Sequence, residues 1–476
     1  GQARAELLRM MYGDELLACF REFKAIWDPT NRLNPGKAIE PFPIDSNLRL
    51  GLSYRPKKLD THFSFPRDHG SFAHATTRCV GVGKCRRRTV GNEVMCPSYL
   101  ATSEEKHSTR GRAHLLHEMA RGEVIVDGWK SDAVEDALSL CLSCKGCKAD
   151  CPVGVDIATL KSEFRSHYYA HKRRPRSAYA MSRISELARL ASHAPAFSNI
   201  VGRTSLAKNL AGIHHGAKLP RFASQTFEKW FRDRGSRTIG TDRLLLWPDT
   251  FNNQFRPKTL IAATQLLERA GFRIALPSSS LCCGRPLYEW GFLEKAKKQF
   301  ERTFSVLAAE IAAGTPIVVL EPACASTFKD ELLNLFPDRD EAKSLSAQVH
   351  YFSDFVRDRI DRFPRFLKGG SALVQPHCHH HAVIGFENER KILDLLELSA
   401  EQPPQGCCGM AGAFGMAQET FDVAREIGER VLLPRVRALD PTTVIVADGF
   451  SCREQIEMNA GRTTVHVAEL LRERMI

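Results

Sequence analysis

The run Cys141-Leu-Ser-Cys144-Lys-Gly-Cys147-Lys-Ala-Asp-Cys151-Pro152 has the residue types and the spacing to hold metal. Thiols at two-residue intervals let one short loop wrap a corner of an iron-sulfur cube, and a further cysteine followed by proline turns the chain toward a second site. Two plainer readings compete: a four-cysteine zinc site, and a set of buried thiols. Zinc motifs usually set two cysteine pairs well apart, so three cysteines in a row before Cys-Pro favour a four-iron cluster.

An earlier stretch repeats this pattern in degraded form, with Cys79 and Cys85 followed by Cys96-Pro97. Val82 stands where the middle cysteine belongs, and the gap from Cys85 to Cys96 is too long. The second half of the chain carries two Cys-Cys-Gly triplets, Cys282-Cys283-Gly284 and Cys407-Cys408-Gly409. Thr250 falls opposite Cys378 and Cys324 opposite Cys452, which an internal duplication explains better than chance. Adjacent thiolates do not easily take neighbouring corners of one tetrahedral ion, but they reach different irons or bridge them. A strained vicinal disulfide and inert buried thiols are the alternatives. The second copy keeps Cys378, Cys407, Cys408 and Cys452, with His377, His379, His380 and His381 beside them as candidate ligands or proton carriers. The first has Cys282, Cys283 and Cys324 only, so a metal site is expected in the second copy and the first stays open.

These residues need elements to position them. Apolar residues from Leu7 to Ile26 recur at helical spacing with a break near Gly13, and Asn34-Pro35-Gly36 ends the segment. Residues 41–78 read as an extended connector with short strands that delivers Cys79. A helix should follow Ser103 and stop at Gly122, a second should run through Val134 and Leu138 into Cys141, and a third should open at Asp156. Residues 176–240 read as a helical linker. Beyond it, short apolar strands, opening at Leu244 and at Ala372 and lying at Phe272–Leu276, Pro316–Leu320 and Thr443–Ala447, alternate with helices, as βα units around small parallel sheets do. The cysteines then lie on loops at strand ends, where α/β folds build their sites.

At 476 residues the chain has room for about three domains. It shows no run long and apolar enough to span a bilayer and no signal peptide, so cytoplasmic placement is expected. Its 15 cysteines sit in vicinal pairs and ligand spacings, which suits a reducing compartment better than a disulfide framework. The net charge of +12 allows nucleic acid, an acidic partner or an anionic membrane face. Basic residues scattered without interleaved aromatics argue against nucleic acid. The runs Lys172–Arg176 and Arg86–Arg88 are ordinary solvated faces or, on a sharper reading, contacts with an acidic redox partner or the inner membrane face.

Three resemblances cover the chain. Residues 1–40, with Tyr12-Gly13-Asp14-Glu15-Leu16 and Asp28-Pro29 through Asn34-Pro35-Gly36-Lys37, resemble the closing segment of flavin-linked D-2-hydroxy acid dehydrogenases, which implies an upstream flavoprotein domain. Residues 41–175 resemble a helical ferredoxin. In two-cluster ferredoxins the Cys-Pro cysteine serves the opposite cluster. That implies Cys141, Cys144, Cys147 and Cys96 on one four-iron cluster, and Cys79, Cys85 and Cys151 on a second set one ligand short. The short set leaves three readings open: a three-iron cluster, a non-cysteine ligand such as His74 or His107, or no cluster. Residues 241–370 and 371–476 resemble the cysteine-rich CCG domain of heterodisulfide reductases and of glycolate oxidase and glycerol-3-phosphate dehydrogenase iron-sulfur subunits. The family's closing Cys-x2-Cys is reduced to one cysteine in each copy. The fold class expected is therefore mixed α and α/β, a helical ferredoxin domain followed by two CCG-type units. Together these resemble the carboxy-terminal half of fused FAD and iron-sulfur dehydrogenases, the group with D-lactate and D-2-hydroxyglutarate dehydrogenases. The resemblance implies FAD in the parent enzyme and a relay to a quinone or carrier protein. A free-standing CCG-type disulfide or quinone reductase is the alternative.

Overall fold

The computed structural model describes every residue except 1, 52–53, 90, 92, 236–239 and 405, and leaves the side chains of residues 2 and 3 undescribed. The chain forms two compact units, Gly1–Lys57 and Lys58–Ile476. In the first, a 3-10 turn at Gln2–Leu7 leads into α1 (Leu8–Trp27), which is interrupted at Gly13, where φ is +78°. Asp28 closes the helix by accepting hydrogen bonds from the Arg32 and Leu33 amides. The helix break expected near Gly13 is therefore present, and glycine is the residue that tolerates it.

In the second unit, α2 (Phe72–Thr77) is capped by Ser71 and delivers Cys79. The connector expected to hold short strands holds none among the described residues; a 3-10 turn at Pro66–Asp68 and α2 stand there instead. The side chain of Asn334 and its carbonyl take the backbone hydrogen bonds of Ser64 and Phe65, so this stretch is tied down by a helix rather than by a sheet. After α3 (Pro97–Thr102), α4 (Thr109–Arg121) starts later than the Ser103 signal suggests, because Ser108 is the residue that caps it. α5 (Asp132–Ser139) and α6 (Gly146–Asp150) flank the cysteine loop, and α7 (Ile157–Tyr168) opens on the Asp156 cap. The linker folds as short helices at Arg176–Ser182, Ile184–Ala191, Pro195–Val201, Ser205–Leu210 and Phe227–Asp233.

The two repeated units each carry a small parallel sheet. In the first, β1 (Asp242–Leu246), β2 (Phe272–Ala275), β3 (Ile317–Val319) and β4 (Val349–Tyr351) lie in the order β2-β1-β3-β4. In the second, β5 (Ser371–Val374), β6 (Ser399–Glu401) and β7 (Val444–Val446) lie in the order β6-β5-β7. Strands β4 and β6 lie outside the expected set. At three residues each, they are too short to display a period of their own.

Sheet alternation splits the core. Leu245 and Trp247 face a core that also contains Phe63, Leu116, Leu138 and Phe164 of the cysteine-rich helical region, whereas Leu244 and Leu246 face the core shared by the two repeats. The ferredoxin-like part and the first repeat thus share one interior. Replacing Leu245 by Ala should cost about 3 kcal/mol through the cavity it leaves. Chemical denaturation followed by tryptophan emission and by far-ultraviolet dichroism should show both signals losing stability together.

Candidate metal centres

Two helix N-termini aim amides at thiols. At the start of α4, the Thr109 amide donates to Cys96 Sγ (2.9 Å) and the Arg110 amide to Cys85 Sγ (3.3 Å). At the start of α7, the Ile157 amide donates to Cys147 Sγ (3.4 Å). A helix N-terminus favours the thiolate that a metal requires. The Cys96 thiol donates to Cys85 and, with the Arg110 amide, brings the Cys85 thiol down to about 6 against burial. Burial pushes Cys96 itself well up. Arg110, its charge held first by Glu105, also faces Cys85 and Cys79.

The loop Cys141–Cys147 curls through left-handed backbone at Ser143 (φ +53°) and Lys145 (φ +59°), and Cys96 has the same hand (φ +55°). Non-glycine residues adopt this conformation only where surroundings enforce it. Gly146 helps for a different reason. A Cβ there would come within 3.1 Å of the Met95 amide, a tight contact that glycine spares where the two cysteine loops approach. Burial pushes the Cys144 thiol well up, and the sulfurs of Cys378, Cys147 and Cys141 push it further. Burial likewise raises Cys147, with Asp156, Cys141 and Cys151 adding to it. The structure thus gathers Cys141, Cys144, Cys147 and Cys151 in one cluster and sets Cys96 beside Cys85. Buried thiols that crowd one another are what a cluster with thiolate ligands needs and what an apolar core does not, so the residues fit iron-sulfur chemistry.

The ferredoxin-like loop is anchored by residues that the cysteine spacing does not single out. Lys145, fully buried inside the motif, pairs with Asp330, Glu331 (3.1 Å) and Asp156 (3.6 Å), and Lys148 joins Asp330 and Asp156. Burial works against the Lys145 charge, but the three carboxylates hold it protonated. Arg285, two residues past Cys283, donates to the Ser143 carbonyl (2.8 Å) and to Glu331. His379 Nε2 lies 2.7 Å from the same guanidinium and 3.0 Å from the Ser143 carbonyl, so one ring nitrogen faces both a donor and an acceptor. Burial and then Arg285 hold His379 well below its usual range. His381 Nε2 lies 3.0 Å from Asp150 Oδ1, while Asp150 Oδ2 accepts from the Val94 and Met95 amides.

In the second repeat, Cys378 and Cys407 lie 3.9 Å apart, Cys408 and Cys452 3.5 Å apart, and the Gly409 amide donates to Cys407 Sγ (3.4 Å). A tetrahedron with metal–sulfur bonds of about 2.3 Å has edges of about 3.8 Å, so these sulfurs fit a thiolate-bound metal. Gly409 has φ +82°, and a Cβ there would stand 2.1 Å from the Ala424 carbonyl oxygen. Cys407 and Cys452 hold Cys408 far below the usual thiol range against burial. In the first repeat, Cys283 contacts both Cys282 and Cys324, and Asp249 and Glu321 stand near Cys324.

All these loops meet. One cavity of about 280 Å³ is bordered by Cys144, by Cys282, Cys283 and Cys324, and by Cys378, Cys407 and Cys408. Its remaining wall is mainly apolar, with Met181, Ile184, Leu219, Phe222, Phe251 and Phe450. Fold and site together fit an iron-sulfur protein, in which a ferredoxin-type domain opens onto a duplicated cysteine-rich unit.

Comparison with known proteins agrees. Residues 75–155 match the 4Fe-4S dicluster domain, 249–329 the cysteine-rich domain, and 1–38 the C-terminal domain of FAD linked oxidases. The chain thus resembles FAD-linked, iron-sulfur oxidoreductases in three separate stretches. It is 26% identical over 522 aligned positions to a D-2-hydroxyglutarate dehydrogenase of Pseudomonas putida, covering 98% of this chain and 50% of that protein. It is 25% identical to a component of the anaerobic glycerol-3-phosphate dehydrogenase of Escherichia coli, over 55% of this chain and 67% of that one. Lactate utilization protein A of Bacillus subtilis is 26% identical, over 45% of this chain and 92% of its own. The chain spans about half the length of the D-2-hydroxyglutarate dehydrogenases it matches.

Two outcomes test the site. Protein prepared without oxygen should absorb broadly near about 400 nm, and Cys144→Ser should remove most of that band. Lys145→Met should lower stability by about 3 kcal/mol, because it strips a counter-charge from buried carboxylates. The anchor should also fail in acid. Lys145 holds the Asp156 and Asp330 carboxyls below their ordinary range against burial, so their contribution is complete above about pH 4 and is lost as pH falls through the lower folded values. Thermal melts of the two proteins should differ less at pH 3 than at pH 7.

Proposed function

We propose that this chain is the electron-relay portion of a flavin-dependent D-2-hydroxy acid dehydrogenase, of D-lactate or D-2-hydroxyglutarate type, delivering electrons from FAD to a quinone or another acceptor. The observation that carries this reading is the shared cavity, where Cys144 of the ferredoxin-type loop borders the cysteines of both repeats. When bound, iron-sulfur clusters on these thiolates would supply one-electron carriage beside a two-electron flavin.

The chain's own residues favour a lipophilic acceptor. The apolar wall of the cavity excludes water from the thiol side and offers a ring-shaped molecule a surface to pack on. Glu321, on the same wall, is pushed up to about 8 by burial and by Asp249, while Oε2 accepts from the Phe450 amide (2.9 Å). At neutral pH the carboxyl therefore keeps its proton, a source for an acceptor that takes up protons as it is reduced. His377, held down to about 4 mainly by burial, stays neutral.

The approach to the cavity suits an anionic membrane face. Residues 172–221 carry ten Lys and Arg against the single acid Glu186. Their helices expose Leu190, Phe197, Ile200, Leu206 and Leu210, each about two-thirds exposed or more. No helix among the described residues is long and apolar enough to cross a membrane, so contact would be peripheral. The chain should sediment with vesicles containing anionic lipid and release as salt rises.

The substrate step belongs with the flavin, because removing a hydride from carbon needs a two-electron acceptor and a positioned base. Mixed with D-lactate or D-2-hydroxyglutarate and an artificial dye, this chain alone should give no reduction, whereas a chain extended upstream through a flavin domain should give it. Dye reduction by the chain alone, with no flavin present, would favour a free-standing reductase. In the extended enzyme, quinone reduction should be full below about pH 8 and fall as Glu321 ionises above it. Glu321→Gln should slow it at every pH.

A further inference from the structure

Behind the thiols of the second repeat lies a separate buried group that the relay does not use. His380 follows the Cys378 loop, Glu389 sits on the helix Glu387–Leu395, and Asp448 follows β7. Their candidate donor atoms all lie within 4.8 Å of one another, and all three side chains are buried. His380 Nδ1 stands 3.5 Å from Glu389 Oε2. Neither ring nitrogen of His380, nor Glu389 Oε2, has a hydrogen-bond partner among the described residues.

That pattern is unusual for a core. Buried polar atoms are nearly always satisfied, and a histidine with both nitrogens unsatisfied beside a carboxylate calls for a further partner. The surroundings offer only loosely placed groups, the Gly385 backbone toward His380 and Ser353 toward Glu389. Tyr351 and Phe386 pack on the His380 ring edge to face, and the Tyr351 hydroxyl is spent on Asp448 Oδ2 (2.6 Å). His466 Nδ1 accepts from the Ala468 amide and its Nε2 donates to the Leu320 carbonyl, standing 3.6 Å from Asp448 Oδ2 without a hydrogen bond to it. Asp448 Oδ1 accepts from the Val467 amide (2.8 Å), which fixes the carboxylate in place.

We propose that His380, Glu389 and Asp448 hold a divalent first-row metal ion, zinc by donor type, in a closed structural site separate from the cysteine centres. One imidazole nitrogen and two carboxylate oxygens are a nitrogen-and-oxygen set that zinc accepts at about 2.0 to 2.2 Å, which puts neighbouring donors about 3.4 Å apart. The His380–Glu389 separation already matches that edge. A carboxylate that binds through both oxygens supplies the fourth position. The ion would neutralise two buried acids and give His380 its missing partner, pinning the loop that begins at Cys378 to β7. The ion has no redox role, so the proposal stands or falls independently of the relay.

The test is metal analysis of the anaerobically purified chain, with zinc and iron measured in the same sample, and X-ray absorption at the zinc edge. About one zinc per chain is expected, with a first shell of nitrogen and oxygen and no sulfur. Glu389→Gln should remove the zinc and leave iron unchanged. Cys408→Ala should leave the zinc in place. Protein with filled iron sites and no zinc would overturn the proposal, as would zinc ringed by sulfur or a Glu389→Gln protein that keeps its zinc. In those cases the group is a carboxyl pair sharing a proton beside a neutral imidazole. Should Glu389→Gln fail to fold, the content and coordination of the unaltered protein decide.

Discussion

The structure depends on burying the Lys145 charge. An ammonium in the interior is costly, and the cost is met only if carboxylates from elsewhere close around it. Asp330 and Glu331 come from the first repeat and Asp156 from the cap of α7. The lysine sits between Cys144 and Cys147, so satisfying it fixes the cysteine loop against the repeat and against the helix whose N-terminus serves Cys147. Geometry that the proposed electron path needs is thereby set by an ion cluster that carries no electrons.

The shared core and the shared cavity follow from that docking. Because Leu245 and Trp247 of the first repeat pack with Phe63, Leu138 and Phe164, the helical domain is not a bead on a string. The first repeat, with three cysteines, and the second, with four, then face each other across one apolar space that the linker helices help to wall. The unequal repeats are thus held as a pair. The less complete one contributes Arg285, Asp330 and Glu331, the residues that place the loop of the other domain.

Much of this is legible in the sequence, for identifiable reasons. Cysteine spacing is local, so the loop at Cys141–Cys151 and both Cys-Cys-Gly triplets can be read directly, as can the caps at Gly122 and Asp156 and the kink at Gly13. The parallel sheets follow from apolar strands alternating with helices. Contacts between distant segments cannot be read. Nothing in the sequence around Lys145 says that two of its partners, Asp330 and Glu331, lie more than 180 residues away, nor that Cys144 stands near Cys378. The histidine run after Cys378 is visible as a cluster, but its members have separate fates. His379 turns to Arg285, His381 to Asp150, and His380 to Glu389. The connector before Cys79 reads as strand-bearing and is not, because the side chain that ties it down, Asn334, is remote in sequence.

Arg285 has a consequence for genetics. One guanidinium reaches the Ser143 carbonyl, Glu331 and His379, hence three segments of the chain at once. A lysine there would be a single point charge and could not present the fork that serves them together. On the proposed relay, a selection for lost electron transfer would accordingly return substitutions at this codon among those at the cysteines, although a guanidinium is no ligand for iron. Compensating changes would be scarce, since a second-site mutation can mend one of the three contacts and leaves the other two open.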